Sequence, residues 1–347
     1  MLVSGGSGSV VKRAPTPSGS QRPIGSAFGG LMTDGSRKAI VVAFLANLGI
    51  AVCKFAAWLV TGAASMLAEG VHSLADTVNQ GLLLLGGARA RREADSEHPF
   101  GYGTERYFWA FVVGLVLFLM GGAFAIVEGI RKLQHPHEIS SPAWAIGVLS
   151  LAIGLECFSL RTAIIEANKL RGKSSWWEFI RRAKSPELPV VLLEDAGALL
   201  GLGMAWISVC LAVFTGNPMW DALGSIAIGA LLLMISILLC VEMKSLLIGE
   251  SASPAHQQAI HDALTRAEHI ERVIHMRTLH LGPDQILVGA KVELGPGLDV
   301  PGVAAAINAA EEAVRAAVPI VEFSYIEPDI YDPDRPQQES EDGPEEP

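Results

Sequence analysis

The chain has 347 residues, 50% of them hydrophobic and 18% charged, and a formal net charge of -10. Soluble domains carry about 25% charged residues, so the composition excludes an ordinary soluble protein and indicates a membrane protein with a soluble part. No basic patch with interleaved aromatics occurs, which argues against nucleic acid as a partner. The cysteines Cys53, Cys157, Cys210 and Cys240 lie in apolar runs without Cys-x-x-Cys spacing, the pattern of reduced packing residues.

Residues 1–36 are rich in Gly, Ser and Pro, with Lys12, Arg13 and Arg22. They contain no apolar h-region and are expected to form a disordered cytosolic arm. A membrane domain is expected over 37–249, where six apolar segments follow one another, at about 39–60, 65–88, 107–130, 142–165, 188–214 and 219–247. Each reaches the ~20 residues needed to cross about 30 Å of hydrocarbon. Thr215-Gly216-Asn217-Pro218 makes a tight turn between the last two. Six spans put both termini on one side.

Basic residues give the orientation. Arg37 and Lys38 precede the first span, and Arg89, Arg91, Arg92 and Arg106 lie between the second and third. Lys169, Arg171, Lys173, Arg181, Arg182 and Lys184 lie between the fourth and fifth. On the other face only Arg131 and Lys132 break a base-free pattern. Both termini are therefore expected in the cytoplasm, the membrane being the inner or plasma membrane if the cell is bacterial. Trp176-Trp177-Glu178-Phe179-Ile180-Arg181-Arg182 fits a short amphipathic helix at the headgroup level, or a cytosolic helix packed on the core.

After Gly249 the pattern turns soluble. Residues 254–268 read as an amphipathic helix, with Ser251 or Ser253 as N-cap. Residues 273–280 alternate like a strand, Gly282-Pro283-Asp284 turns, and 286–294 form a second strand. A helix over 300–318 and a strand over 320–326 complete an αββαβ order, a small ferredoxin-like α+β domain over 250–330. Residues 331–347 form an acidic tail, with five acids and no base from Gln337 to Pro347.

Intramembrane ionisable residues need a reason. In the second span His72 and Asp76 are four apart and share one helix face, with Glu69 and Asn79 near it. Imidazole and carboxylate are a ligand pair for divalent transition metals. The fifth span holds Glu194-Asp195 within an apolar run. Adjacent positions lie about 100° apart on a helix, so one acid is expected to ligate and the other to ligate weakly, support it or carry a proton. Asn47 is a candidate lining residue, and Lys54 is placed to neutralise an acid. Glu128, Glu156 and Asp221 read as structural. The cytosolic histidines His256, His261, His269, His275 and His280 do not share a face well enough to read as a second site, and His98 lies in the loop near the cytoplasmic entrance.

Six spans, His-x-x-x-Asp in the second, an Asp in the fifth and the αββαβ domain resemble the cation diffusion facilitator family over residues 37–330. Supporting stretches are Ala68-Glu69-Gly70-Val71-His72-Ser73-Leu74-Ala75-Asp76, His98-Pro99-Phe100-Gly101-Tyr102-Gly103-Thr104-Glu105-Arg106 and Leu281-Gly282-Pro283-Asp284. The resemblance implies a homodimeric exporter, paired through its cytosolic domain and transmembrane helices. It implies that a divalent ion, most simply Zn²⁺, is exchanged for protons by alternating access between the second and fifth spans. Matched position by position, His72, Asp76 and Asp195 are metal ligands, with His72 and Asp76 also coupling protons. Val191 stands where a fifth-span ligand is common in the family, and Glu194 is its substitute, as in the subgroup with Glu-Asp at this point. One imidazole among carboxylates makes a harder site, to which Mn²⁺, Fe²⁺ or Co²⁺ are also suited. The partners expected are the metal ion, protons and the bilayer, with no permanently bound cofactor.

A membrane enzyme is the rival from another class. An intramembrane metalloprotease requires His-Glu-x-x-His, which is absent from the sequence. A metal sensor or scaffold without transport would keep the fold but tolerate loss of His72, Asp76 and Asp195.

Overall fold

The computed structural model describes residues 64–135, 142–172 and 175–333, with residues 40–41, 44–45, 47–53, 55–56 and 59 before them. For residues 64–72, 142, 144, 145 and 182 only the backbone is described. The expected arm over 1–36, part of the first span including Lys54, and the tail from 334 lie outside the described residues.

Helix α1 runs Ala64–Arg89. Then α2, Glu105–Val116, passes through a π-helical turn at Leu117–Ala123 into α3, Phe124–Gln134. Helix α4 is Pro142–Arg171, α5 is Trp176–Arg182, α6 is Glu187–Thr215 and α7 is Met219–Ile248. Among the described residues, four stretches are long and apolar enough to cross a membrane: Glu105–Gln134, Ile146–Arg171, Glu187–Thr215 and Met219–Ile248. They correspond to the third to sixth expected spans, and α1 to the second. Helix α4 continues past the expected end of its span, so its basic last turn, with Lys169 and Arg171, is helical rather than loop.

The α2–π–α3 rod packs along α7 where glycines let the backbones meet. A Cβ on Gly129 would stand 2.9 Å from the Ile226 amide nitrogen, and one on Gly229 would stand 2.8 Å from that of Ile126. Such close approach is characteristic of small residues between membrane helices. Lys132 Nζ donates to Asp221 at 2.9 Å and ties the facing ends of these two rods. Helix α6 ends on Gly216 at φ 64°, a left-handed cap.

Helix α5 combines features of both expected readings. Ser175 caps it by accepting from the Glu178 amide at 3.1 Å. Phe179 packs on the transmembrane core, while Trp176 and Trp177 stay exposed. Arg171 lies 4.3 Å over the Trp176 ring and Arg181 5.9 Å over that of Trp177.

The C-terminal domain has the expected αββαβ order. Helix α8, Pro254–Arg266, is capped by Ser253, which accepts from the His256 amide at 3.3 Å. Strands β1, Ile270–Gly282, and β2, Gln285–Leu294, pair antiparallel. Helix α9, Val300–Ala317, is capped by Asp299, and β3, Val321–Pro328, returns parallel to β2. The sheet order is β1-β2-β3. Alternate residues Ile286, Val288, Ala290 and Val292 of β2 are buried with Ile260 and Leu264 of α8 and Ala310 and Val314 of α9, the period-2 signature of a sheet with one covered face.

The two parts meet at a polar junction. Arg106, at the start of α2, pairs with Glu187 at the start of α6, and its Nη1 donates to Asp284 in the β1–β2 turn at 2.9 Å. The Arg106 and Glu187 side chains are 11% and 5% exposed. A Cβ on Gly282 would stand 2.9 Å from Gly103 Cα, so neither glycine tolerates a side chain. Alongside, Lys184 pairs with Glu250, whose carbonyl accepts from the His280 amide at 2.8 Å.

Two outcomes test this junction. Arg106→Ala leaves Glu187 as a buried charge without its partner, a penalty of about 3–5 kcal/mol; it should lower the thermal midpoint of the full chain in detergent and expose the C-terminal domain to protease. An apolar Arg106→Met/Glu187→Leu pair should recover most of the midpoint. The second outcome concerns His280, which is 3% exposed. Burial holds its imidazole below the ordinary value of 6.5 against the hydrogen bond with the Gly282 carbonyl, with Lys184 and His256 acting in the direction of burial and Glu250 opposing. The unfolded chain therefore binds the proton more readily, so the stability from a neutral His280 is intact above pH 6.5 and is lost as pH falls through the depressed value. His280→Gln should flatten the acid limb of the midpoint-versus-pH curve below pH 6.5; an unchanged limb would reject the assignment.

Candidate functional site

Helix α1 sets one turn between the backbones of residues 72 and 76, the spacing expected for a shared face. The side chains of His72 and Glu69 lie outside the described residues. Asp76 is half-buried, and beyond it the helix turns polar groups inward: Thr77, Asn79 and Gln80 are all buried. Thr77 spends its hydroxyl on the Ser73 carbonyl at 2.8 Å, which leaves Asn79 and Gln80 to bond across helices. Asn47 Nδ2 donates to Gln80 Oε1 at 3.2 Å, so Asn47 joins the polar layer one turn from Asp76.

The fifth-span pair divides as helix geometry requires. Glu194 faces α1, where its Oε1 accepts from Asn79 Nδ2 at 3.2 Å. Asp195 faces α4, where its Oδ2 accepts from Ser159 Oγ at 2.8 Å. The acids are 6% and 2% exposed. Asp76 is near enough for its charge to act on both, and Glu156 near enough to act on Glu194. Among the described residues no arginine or lysine pairs with Glu194 or Asp195. Two acceptors here, Glu194 Oε2 and Asn79 Oδ1, are buried without a hydrogen-bond donor among the described residues. Buried acceptors of this kind are costly unless a donor or cation meets them.

A small cavity lies between this layer and the π-helical turn, lined by Ala75, Asp76, Asn79, Val116, Leu117, Met120 and Gly121. It faces the widened turn of the third span, a form frequent at functional sites. Val191 is buried in the apolar core with Leu188 and Leu192 and supplies no ligand. Among the described residues no group of three or more His, Cys, Asp or Glu converges closely enough to hold a metal ion. The described carboxylates are distributed over three helices rather than gathered.

The other candidates separate from this layer. Glu128 sits near Arg131 at 4.0 Å. His98 is in the exposed loop, 3.6 Å from Asp95 and stacked on Tyr102 with ring centroids 4.4 Å apart. Asp95 is the organiser there: the Tyr102 hydroxyl, then the His98 and Glu97 amides, pull its carboxyl down to about 2. Of the histidines of the C-terminal domain, His275 lies on a sheet face with Arg277, Lys291, Tyr325 and Glu327. His280 is buried at the junction, and His261 and His269 are exposed.

Ser159 was not singled out by sequence reasoning, and Asn79 was noted only for its face. The available signal for Asn79 was its position three residues after Asp76. For Ser159 it was a small polar residue in an apolar span, which is common and unspecific.

Known proteins resemble this chain over most of its length. A family model described as the cation efflux transmembrane domain matches residues 40–248. The human proton-coupled zinc antiporter SLC30A9, mitochondrial, is 34% identical over 261 residues, covering 75% of this chain and 46% of that protein. Metal tolerance protein C4 of Arabidopsis thaliana is 30% identical over 264 residues, covering 74% and 57%. Magnetosome protein MamM of Magnetospirillum gryphiswaldense is 26% identical over 233 residues, covering 65% and 67%. The chain spans about half the length of the first of these relatives. A solved MamM C-terminal domain is similar at 23% identity and TM-score 0.21, covering 22% of this chain and 93% of that one. With a cation efflux domain over most of its apolar part, the chain is an integral membrane protein and belongs to the cation diffusion facilitator family of metal cation transporters.

Proposed function

We propose that the protein exports a divalent transition-metal ion, Zn²⁺ in the first instance, in exchange for protons, by alternating access at a site between the second and fifth spans. The observation that carries this reading is the Asn79–Glu194 hydrogen bond. It brings the face of α1 that bears Asp76 against a helix with two buried acids that no described arginine or lysine neutralises. A divalent cation answers that excess of negative charge and the unmatched oxygens Glu194 Oε2 and Asn79 Oδ1. His72, Asp76, Asp195 and Glu194 are the ligands in this reading. Asn79 holds Glu194, and Asn47 lines the layer through Gln80.

Ligands must shed protons to bind a metal, so affinity rises with pH and binding releases protons. His72, one turn before Asp76, carries the side-chain type best suited to exchange a proton near physiological pH; with Asp76 it takes up protons on the outward face as the ion leaves. The name of the human relative, a proton-coupled zinc antiporter, supports the same coupling. Val191 in place of an expected ligand, and three carboxylates to one imidazole, keep Mn²⁺, Fe²⁺ and Co²⁺ as alternative cargoes. The membrane topology in this reading is six spans with both termini cytoplasmic, and the working unit is a homodimer.

Transport is tested in proteoliposomes with an imposed pH gradient. Zn²⁺ flux should depend on the gradient, Asp76→Ala and Asp195→Asn should fall to the level of empty liposomes, and Asn79→Ala should lose about 10–100-fold in apparent affinity, as outer-shell partners do. Wild-type flux in Asp76→Ala would remove the site, and binding without flux in the wild type would make the protein a sensor. For orientation, a cysteine at Asn217 in the turn between the last two spans should react with an impermeant thiol reagent from outside intact cells, and one at Asp332 should not.

A further inference from the structure

Helix α4 does more at this layer than pack. Ser159 is 8% exposed, and its hydroxyl donates to Asp195 Oδ2 at 2.8 Å. Glu156 is three residues earlier, on the same side of the helix, and its charge reaches Glu194. One face of the fourth span therefore bears on both fifth-span acids, bonding Asp195 through Ser159 and setting a like charge toward Glu194 through Glu156. A serine has a single O–H donor, and here it is committed to one of the two oxygens of Asp195, Oδ2.

From this we propose that Ser159 is a positioning residue that sets ion preference by holding Asp195 to one-oxygen coordination. The inference rests on the transport reading above. Zn²⁺ takes four ligands in a tetrahedron, and a carboxylate bound through one oxygen suits it. Ions that take six or more oxygen ligands gain from a carboxylate that can offer both. A hydroxyl fixed on Oδ2 favours the first mode and opposes the second. The fourth span thereby forms a third wall of the site, and selectivity depends on a residue that never touches the ion.

The test compares wild type, Ser159→Ala and Ser159→Thr in the full chain, with Zn²⁺ and Mn²⁺ each measured alone and in competition. Ser159→Ala should lower the Zn²⁺-over-Mn²⁺ preference by about tenfold, a usual size for loss of a partner behind a ligand, and Ser159→Thr, which keeps the hydroxyl, should restore it. A purely structural serine would lower flux for both ions alike and leave the ratio unchanged, which overturns the inference while the transport reading stands. Absence of gradient-dependent flux in the wild type overturns the transport reading and this inference with it. If Ser159→Ala does not insert stably, Ser159→Gly also removes the hydroxyl, and competitive binding of the two ions in detergent gives the ratio without transport.

Discussion

The Arg106 guanidinium is the constraint on which the arrangement of the molecule depends. It is largely withdrawn from water and holds three separately built pieces: the base of the third span, the start of the fifth through Glu187, and the β1–β2 turn through Asp284. A planar fork of donors suits this task where a lysine would not, because it can serve two carboxylates in fixed directions. Burying it is costly, and only the full set of partners offsets that cost. Glu187 begins the helix that carries Glu194 and Asp195 two turns on, so the C-terminal sheet and the buried acids are joined by one rigid element. The Gly103–Gly282 approach beside it fixes how near the sheet can come.

Much of the architecture was legible because its causes are local. Apolar runs of sufficient length gave the four long apolar stretches among the described residues, and of the two cap candidates, Ser251 and Ser253, the second caps α8. The alternation over Ile286 to Val292 gave the central strand. The Trp176–Arg182 helix was legible as a helix, and its two opposed readings describe its two faces: Phe179 inward, the indoles outward. What was not legible depends on distant partners. The stretches around Gly103 and Gly282 were each noticed, yet nothing in either indicates that they touch. Ser159 is unremarkable until α6 turns Asp195 toward it.

The candidate site shows the same division. The sequence placed His72 and Asp76 on one face and argued that Glu194 and Asp195 must look in different directions. Their directions, one to Asn79 and one to Ser159, are tertiary facts. They reassign the neighbours of the acids more than the acids themselves: Asn47 meets Gln80 rather than a carboxylate, and Glu156, read as structural, stands within reach of Glu194.

The π-helical turn at Leu117–Ala123 lets two out-of-phase parts of one rod share a single seam. A π turn holds one residue more than the α turn it interrupts, so the parts of the rod before and after it are out of phase by about the 100° that one residue occupies. Both parts nonetheless keep glycines on the α7 seam, Gly114 against Cys240 before the turn and Gly129 against Ile226 after it. The surplus residue is thus absorbed beside the cavity next to Asp76 and leaves the seam intact. The turn itself also lies on that seam, Gly121 against Leu232 and Gly122 against Leu233, so a side chain added at either glycine would press on α7 and reshape the wall of the cavity beside Asp76.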